Sequence, residues 1–437
     1  MTESRWLRLA RAIAISHAAT LIATASPAQL LGPELQINTY THLSQGDPAV
    51  AASAEGGFVV VWSGSGGPAH SVIRGRTFDE AGEPVGDQFP ISLNAIDSEN
   101  LPDVAADEAG NFLVVWRSIP MGATSQSLVA RLFAAGGAPL TGEIPISTGT
   151  YDPTFGTAVA AIGGGEFVVV WLGPGGSERP ILGRRFDGAG DPVGDPFEVV
   201  SQTRGFFVEL AIGGIARADE PSDFVVAWDG YRDREALFDV YARRFAATGE
   251  PLAEEFLVPI ATLPSQSSPR VAMNDAGDFL VTWNEWDEAQ ESFEVFERRF
   301  DSAGKPAGAE CRVNATTTGD QGLPSVAADG TDDFVVVWQS RDQDGSYEGI
   351  FGQRIAPDGQ RIGGEFQVNT YTLGGQYRPA IAGDGTTSFA VVWQSQGQDG
   401  SFDGVFGQRL QAPLFFDGFE SGDVCGWSAA MGGESCS

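Results

Sequence analysis

The run FVVVW at 58–62 decides the fold, because it keeps coming back. It returns as FLVVW at 112–116, FVVVW at 167–171, FVVAW at 224–228, FLVTW at 279–283, FVVVW at 334–338 and FAVVW at 389–393. The closing residues are Trp62, Trp116, Trp171, Trp228, Trp283, Trp338 and Trp393, spaced by 54, 55, 57, 55, 55 and 55 positions. Self-similarity at such a period marks a repeat architecture, each copy being one supersecondary unit. An unbroken apolar run of β-branched and aromatic residues reads as a strand covered on both faces.

Around each run the unit reads as four strands. A small-residue strand precedes it, as in PAVAA at 48–52, PDVAA at 102–106, PSVAA at 324–328 and PAIAG at 379–383. A strand carrying Arg follows, as in RGRTF at 74–78, GRRF at 183–186 and ERRF at 297–300. An alternating strand ends the unit, as in FPIS at 89–92, FEVV at 197–200, CRVN at 311–314 and FQVN at 366–369. Turns such as DEAGN at 107–111 and FDEAGEPVGD at 78–87 place Gly three residues after Asp, which suits a type I turn closed by a left-handed Gly. Four antiparallel strands per unit, seven times over, predict an all-β chain folded as a seven-bladed β-propeller. An open β-solenoid or a string of small sandwiches is the competing architecture. The last unit stops near Pro413 without its fourth strand, and an orphan copy, LQIN, sits at 35–38. The N-terminal strand is therefore expected to complete the last blade and remove the free sheet edges.

The chain ends carry other signals. Residues 1–28 open with Arg5, Arg8 and Arg11, continue with an apolar stretch interrupted by His17, and end in small residues. That order predicts a signal peptide, and hence a secreted or cell-surface protein; an N-terminal anchor is the alternative. The propeller would then span 29–413 and a small tail module 414–437. Cys425 and Cys436 lie together in that tail, where a disulfide is expected in an exported chain. The third cysteine, Cys311, stands in the slot that Phe366 fills in FQVN, which predicts a small buried apolar role.

The 437 residues hold 58 Asp and Glu against 26 Lys and Arg, a net charge of −32, and the one lysine is Lys305. Nucleic acid and anionic membrane are poor partners for such a chain. Nothing beyond the N-terminus is long and apolar enough to span a bilayer. Three His and three Cys leave little for a His-based site, and no G-x-S-x-G or H-E-x-x-H motif occurs.

Seven arginines, Arg76, Arg131, Arg185, Arg244, Arg299, Arg354 and Arg409, follow the seven tryptophans by 14–16 positions. One pair per unit points to structure: a guanidinium over an indole face or on a turn carboxylate, rather than a ring for an anionic ligand. The second-to-third and fourth-to-first loops share one face of the ring and are the longer, more varied set, so a ligand is expected there near the axis. Candidates on that face are Tyr231, Trp286, Asp342, Asp344, Tyr347, Asp399, Phe402 and Asp403. Asp342, Asp344 and Asp399 lie in DQDG and GQDG settings. These match the opening of a Ca2+ loop without its closing Glu, and equally match ordinary turns.

The stretches VVWQSRDQDGSYEGIFGQR at 336–354 and EFQVNTYTLGGQYRPAIAGDG at 365–385 resemble a repeat of secreted bacterial proteins of propeller type. The tail FFDGFESGDVCGWS at 415–428 resembles a C-terminal segment of exported bacterial proteins. The resemblance implies export and a propeller, and assigns no residue a role. The sequence thus leads to a non-catalytic binding or adhesion scaffold for a glycan, protein or cell-surface ligand. One alternative is a carbohydrate-active enzyme, hydrolase or lyase, working with carboxylates at the channel mouth; another is a calcium-stabilised structural protein. Two inward carboxylates beside exposed aromatics would favour the enzyme.

Overall fold

The structure is a computed structural model that describes residues 28–411, apart from 55, 68–69, 94–96, 123–125, 148–155, 176–177, 205–207, 216–219, 232–236 and 261–263. The expected signal segment up to residue 27, the tail module, Cys425 and Cys436 lie outside the described residues. The described strands form seven four-stranded antiparallel sheets. Their inner strands are Gln45–Ala52, Ser98–Ala106, Thr157–Gly163, Leu210–Gly213, Gln266–Met273, Gln321–Ala328 and Gln376–Gly383. Each packs against the inner strands of both neighbouring blades, and that of blade 7 packs against that of blade 1. The ring is closed: this is an all-β seven-bladed propeller. No helix among the described residues is long and apolar enough to cross a membrane.

Blade 7 is built from both ends of the chain. Strands Gln376–Gly383, Ser388–Gln396 and Asp403–Gln411 are joined by Gln29–Gln36 as the outer strand. The register pairs Leu31 with Arg409, Leu35 with Gly407 and Gln36 with Phe406. Past the strand, Ile37 N–H donates to Val405 O at 2.9 Å, and the fully buried Ile37 enters the core between blades 7 and 1.

Seven apolar clusters hold the described ring together, one at each blade–blade junction. The second strands supply most of this core. Val60, Val114, Val169, Val226, Val281, Val336 and Val391 are fully buried, at roughly 1.5–3 kcal/mol each. The seven tryptophans are buried too. Where the indole N–H is satisfied, the first residue of the inner strand can serve: Trp62 Nε1 donates to Gln45 at 3.1 Å and Trp338 Nε1 to Gln321 at 3.0 Å.

The arginines fall into two registers, and their aromatic partner is phenylalanine rather than tryptophan. Arg76 stands opposite Val60, and Arg131 opposite Val114, so each lies nearer the Phe that ends its own strand than the Trp. Their guanidinia sit 5.4 Å from the Phe78 ring and 5.0 Å from the Phe133 ring. In blades 4 and 5 this position belongs to Arg243 and Arg298, not Arg244 and Arg299. These guanidinia reach across to the preceding outer strand. Arg76, Arg131, Arg243 and Arg298 donate to the carbonyls of Ile37, Ile91, Val199 and Val258 at 2.6–3.0 Å. One residue on, the side chain takes the other face: Arg185 pairs with Glu166 at 2.6 Å, Arg354 with Asp333 at 2.6 Å, and Arg244 approaches Asp223 at 3.8 Å. Arg299 donates to the Pro357 carbonyl, and Arg409 stands opposite Ala390.

The buried role expected for Cys311 is not what the fold gives it: Cys311 is exposed. The reason lies across the ladder. In blades 1, 3 and 6 the outer-strand Phe89, Phe197 and Phe366 lie opposite Gly75, Gly183 and Gly352, and the ring covers the glycine. In blade 5 the opposing residue is Glu297, so Cys311 has no open backbone to cover. A β-carbon at Gly352 would come within 2.7 Å of the Phe366 ring. Gly352→Ala should therefore destabilise the protein by about 1–3 kcal/mol, the cost of overpacking. A chemical melt that leaves the midpoint unmoved would contradict this.

Candidate functional site

On the face that carries the longer loops, the inner strands surround an axial cavity of about 410 Å³. A second cavity of about 230 Å³ opens toward the face of the short Asp-Gly turns. One β-branched residue from every blade lines one or both of them: Val50, Val104, Val159, Ile212, Val271, Val326 and Ile381. All seven occupy one register, opposite the mid-strand valines of their blades. All but Val104 line the upper cavity and give it an apolar floor.

Its wall is made by a repeated backbone irregularity. Asp47, Leu101, Ser268, Leu323 and Arg378 all adopt left-handed φ, between 48° and 57°. Each precedes a proline and sits at a register slip in its inner strand. Non-glycine residues in this conformation cost of the order of 1–3 kcal/mol apiece and collect at sites. The preceding blade supports three of them through the residue that follows its Trp. Asp229 Oδ2 accepts from Ser268 N at 3.1 Å, Gln339 Oε1 from Arg378 N at 3.2 Å and Gln394 Oε1 from Asp47 N at 3.4 Å. The outcome is that Asp47, Leu101, Leu323 and Arg378 line the cavity.

Three acids and three arginines line the same space: Asp47, Asp103 and Glu209 with Arg117, Arg270 and Arg378. Arg378 is ion-paired with Asp47. Arg270 Nη1 lies 3.2 Å from Glu209 Oε2, and Ser268 Oγ donates to Glu209 Oε1 at 3.3 Å. Arg117 Nε donates to Asn100 Oδ1 at 2.6 Å. Asp103 stands just after Pro102, where most blades have Ala. Its Oδ2 accepts from Val159 N of the next blade at 2.9 Å and its Oδ1 from Val104 N at 2.9 Å. Ser325 supports Ile381 N in the same way, at 3.2 Å. Desolvation pushes the Asp103 carboxyl up to about 6, against its two N–H donors and the charge of Arg270. Beneath Glu209, the buried Asp229 accepts from Glu209 N at 2.8 Å as well as from Ser268 N. Burial first, and the Glu209 charge second, raise Asp229 to about 8, so it is largely protonated at neutral pH. A carboxyl poised near 6 therefore shares one pocket with a carboxylate bound to a guanidinium, a pair able to move a proton and to balance charge.

Other buried acids are raised by desolvation as well: Glu99 and Glu297 to about 7 and Asp333 to about 6. A carboxyl with a raised folded pKa is protonated in the native state where the unfolded chain is already ionised. The native state then holds more protons, and its advantage is lost as pH rises through the folded values. Stability should be greatest near pH 4–5 and decline toward about pH 8, by about 1.4 kcal/mol per pH unit for each proton that only the native state retains. Thermal melts across that range test it, and a melting temperature that climbs with pH would refute it.

None of the eight residues named from the loops lines this cavity. They lie on its face, further out. Tyr231 packs on Phe238 with ring centroids 4.1 Å apart, and Trp286 meets Phe293 edge-on at 5.1 Å. Tyr347 and Phe402 are 65% and 63% exposed. Asp403 stands opposite Gln396. Asp344 and Asp399 act as turn acceptors, from Ser346 N at 3.2 Å and Ser401 N at 3.0 Å, and also hold Asn369 and Asn38. Asp342 adopts φ 62° beside Arg341. The described residues contain no group of three or more His, Cys, Asp or Glu placed to hold a metal ion. Asp103, Glu209 and Arg270 were overlooked, although Asp103 and Arg270 are visible as departures from the P-A-V-A-A column of the first strand and Glu209 stands just before it.

No protein-family model matches the chain, and no curated protein matches it. Among solved structures, the chain is similar to a protein of unknown function from Dyadobacter fermentans, with a TM-score of 0.54 and 9% identity over 88% of this chain and 99% of that one. It is similar to the polysaccharide lyase Uly1, with a TM-score of 0.51 and 9% identity over 88% and 100%. An α-L-arabinanase of Penicillium chrysogenum gives 0.48 and 12% over 87% and 99%. At these identities the likeness is one of fold. The expectation of a non-catalytic adhesion scaffold is corrected here in favour of its carbohydrate-active alternative: the channel mouth holds inward carboxylates, the feature expected of the enzyme, on a fold similar to that of the polysaccharide lyase Uly1.

Proposed function

We propose that the protein is a carbohydrate-active enzyme whose axial pocket, on the long-loop face, binds and cleaves a polysaccharide. The carrying observation is Asp103, a cavity-lining carboxyl raised to about 6, in one pocket with the Glu209–Arg270 pair. In this reading Asp103 delivers the proton to the departing glycosidic oxygen. Glu209, oriented by Arg270 and Ser268, acts on the sugar as base or nucleophile. Asp229 supports the backbone of Glu209 and Ser268 from behind and is a positioning residue. Tyr347 and Phe402 offer exposed rings on the same face for sugars outside the pocket. The basic, then apolar, then small-residue start of the chain supports an exported protein of the secreted bacterial repeat type.

The test is a panel of neutral and acidic polysaccharides incubated with the purified protein. New reducing ends alone would mark hydrolysis; new reducing ends with the ultraviolet absorbance of an unsaturated sugar would mark elimination. Retention of a glycan with no cleavage anywhere in the panel would defeat the reading.

A further inference from the structure

We propose that the axial pocket receives a carboxylate-bearing sugar, gripped by Arg270 and Arg378. The proposal rests on the carbohydrate reading and names its substrate class. The first ground is internal comparison among the blades. Side chains that serve the scaffold recur from blade to blade, as Arg76, Arg131, Arg243 and Arg298 do. Arg270 instead stands alone in its column, where blades 1, 3, 4 and 7 have Ala49, Ala158, Ala211 and Ala380. Arg378 likewise holds a place filled by Asp47, Leu101, Ser268 and Leu323 elsewhere. Building a blade does not require either arginine.

How each guanidinium is used is the second ground. Arg270 makes its bonds to Glu209 and to the Pro269 carbonyl through Nη1. Arg378 pairs with Asp47 through Nη1 as well. Among the described residues, the Nε–Nη2 edge of both side chains has no protein partner. That edge carries two parallel N–H donors at the spacing of a carboxylate's oxygens, and it is the part of Arg that recognises planar oxyanions. The side chains are 37% and 50% exposed, so the free edges are reachable yet partly desolvated.

Charge is the third. The chain carries −32 overall, but Asp47, Asp103 and Glu209 are matched in the pocket by Arg117, Arg270 and Arg378. The pocket does not share the acidity of the rest of the protein. Outside it, salt screens the acidic surface within about 8 Å at physiological ionic strength.

The experiment is titration calorimetry of the purified protein with oligomers of galacturonate, glucuronate and mannuronate, their neutral methyl esters, and a sulfated neutral oligosaccharide. At least one uronate should bind, with its methyl ester about 10-fold weaker or more, because esterification removes the charge and one acceptor. Arg270→Lys and Arg378→Lys should each weaken uronate binding about 10-fold with an unchanged melting temperature, since Lys keeps the charge and loses the paired donors. Equal binding of acid and ester, a preference for the sulfated sugar, binding of no uronate, or indifference to both substitutions would each overturn the proposal. Cleavage confined to neutral polysaccharides would remove this inference and leave the proposed function standing. Uronate binding lost in both variants, without cleavage of any polymer, would support this inference and count against the enzyme.

Discussion

Asp103→Ser lowers turnover on the cleaved polysaccharide by about 10²–10⁴-fold, the range for loss of a general acid or base, and leaves the propeller folded. Serine is the informative replacement because the protein already uses it. Ser325 supports the Ile381 N–H from the equivalent place in blade 6, as Asp103 supports Val159. The substitution thus retains a hydroxyl for the inter-strand hydrogen bond from Val159 N and removes the ionisable group together with the acceptor of the Val104 N–H. In the wild type, a general acid titrating near 6 gives a rate that falls as pH rises through that value. This limb should vanish in the variant. Unchanged turnover, or a pH limb that survives the substitution, would remove Asp103 from the chemistry.

Deletion of residues 29–38 should produce the largest loss of stability. It removes the outer strand of blade 7 together with Ile37, which is fully buried. Burial of that side chain contributes roughly 1.5–3 kcal/mol, and the lost ladder adds about 1 kcal/mol per hydrogen bond. The edge Asp403–Gln411 would then lie open to other chains. The truncated protein should melt far lower and associate, read by calorimetry and light scattering. Ile37→Ala is the milder probe, at about 2–5 kcal/mol. A truncated chain that stays monomeric with a native melting point would show that the closure contributes little.

The seven blades and their closure were legible in the sequence because the repeat writes the same requirement seven times: a run buried between sheets must be apolar throughout, and Trp62 to Trp393 keep the count. LQIN at 35–38 betrayed the shared blade because it copied FQVN. The arginines were misaligned by one residue in several blades, since RRF offers two adjacent candidates and only the ladder shows which faces the valine. Cys311 was misread for a related reason: its place is set by the residue opposite it on the neighbouring strand, Glu297, where Phe366 faces Gly352, and its own strand does not report that partner. The site was hidden by the argument that revealed the fold. Asp103 and Arg270 break the small-residue column, Glu209 sits just before it, and a search for what repeats passes over what does not. Left-handed backbone at Asp47 or Arg378 has no signature beyond the proline that follows, and proline ordinarily disfavours it.

The shared blade also governs how the molecule can be made. The side-chain amide of Gln408 donates to the carbonyl of Leu31, 377 positions upstream. During synthesis the earliest part of the propeller must wait, without its final neighbour, while six complete sheets form behind it. Assembly therefore ends with a ligation-like docking across nearly the whole chain, a step of long sequence separation and correspondingly slow. Until the last forty or so residues emerge, the molecule is an open arc with two sticky rims, and that interval is when it most needs protection from its own copies.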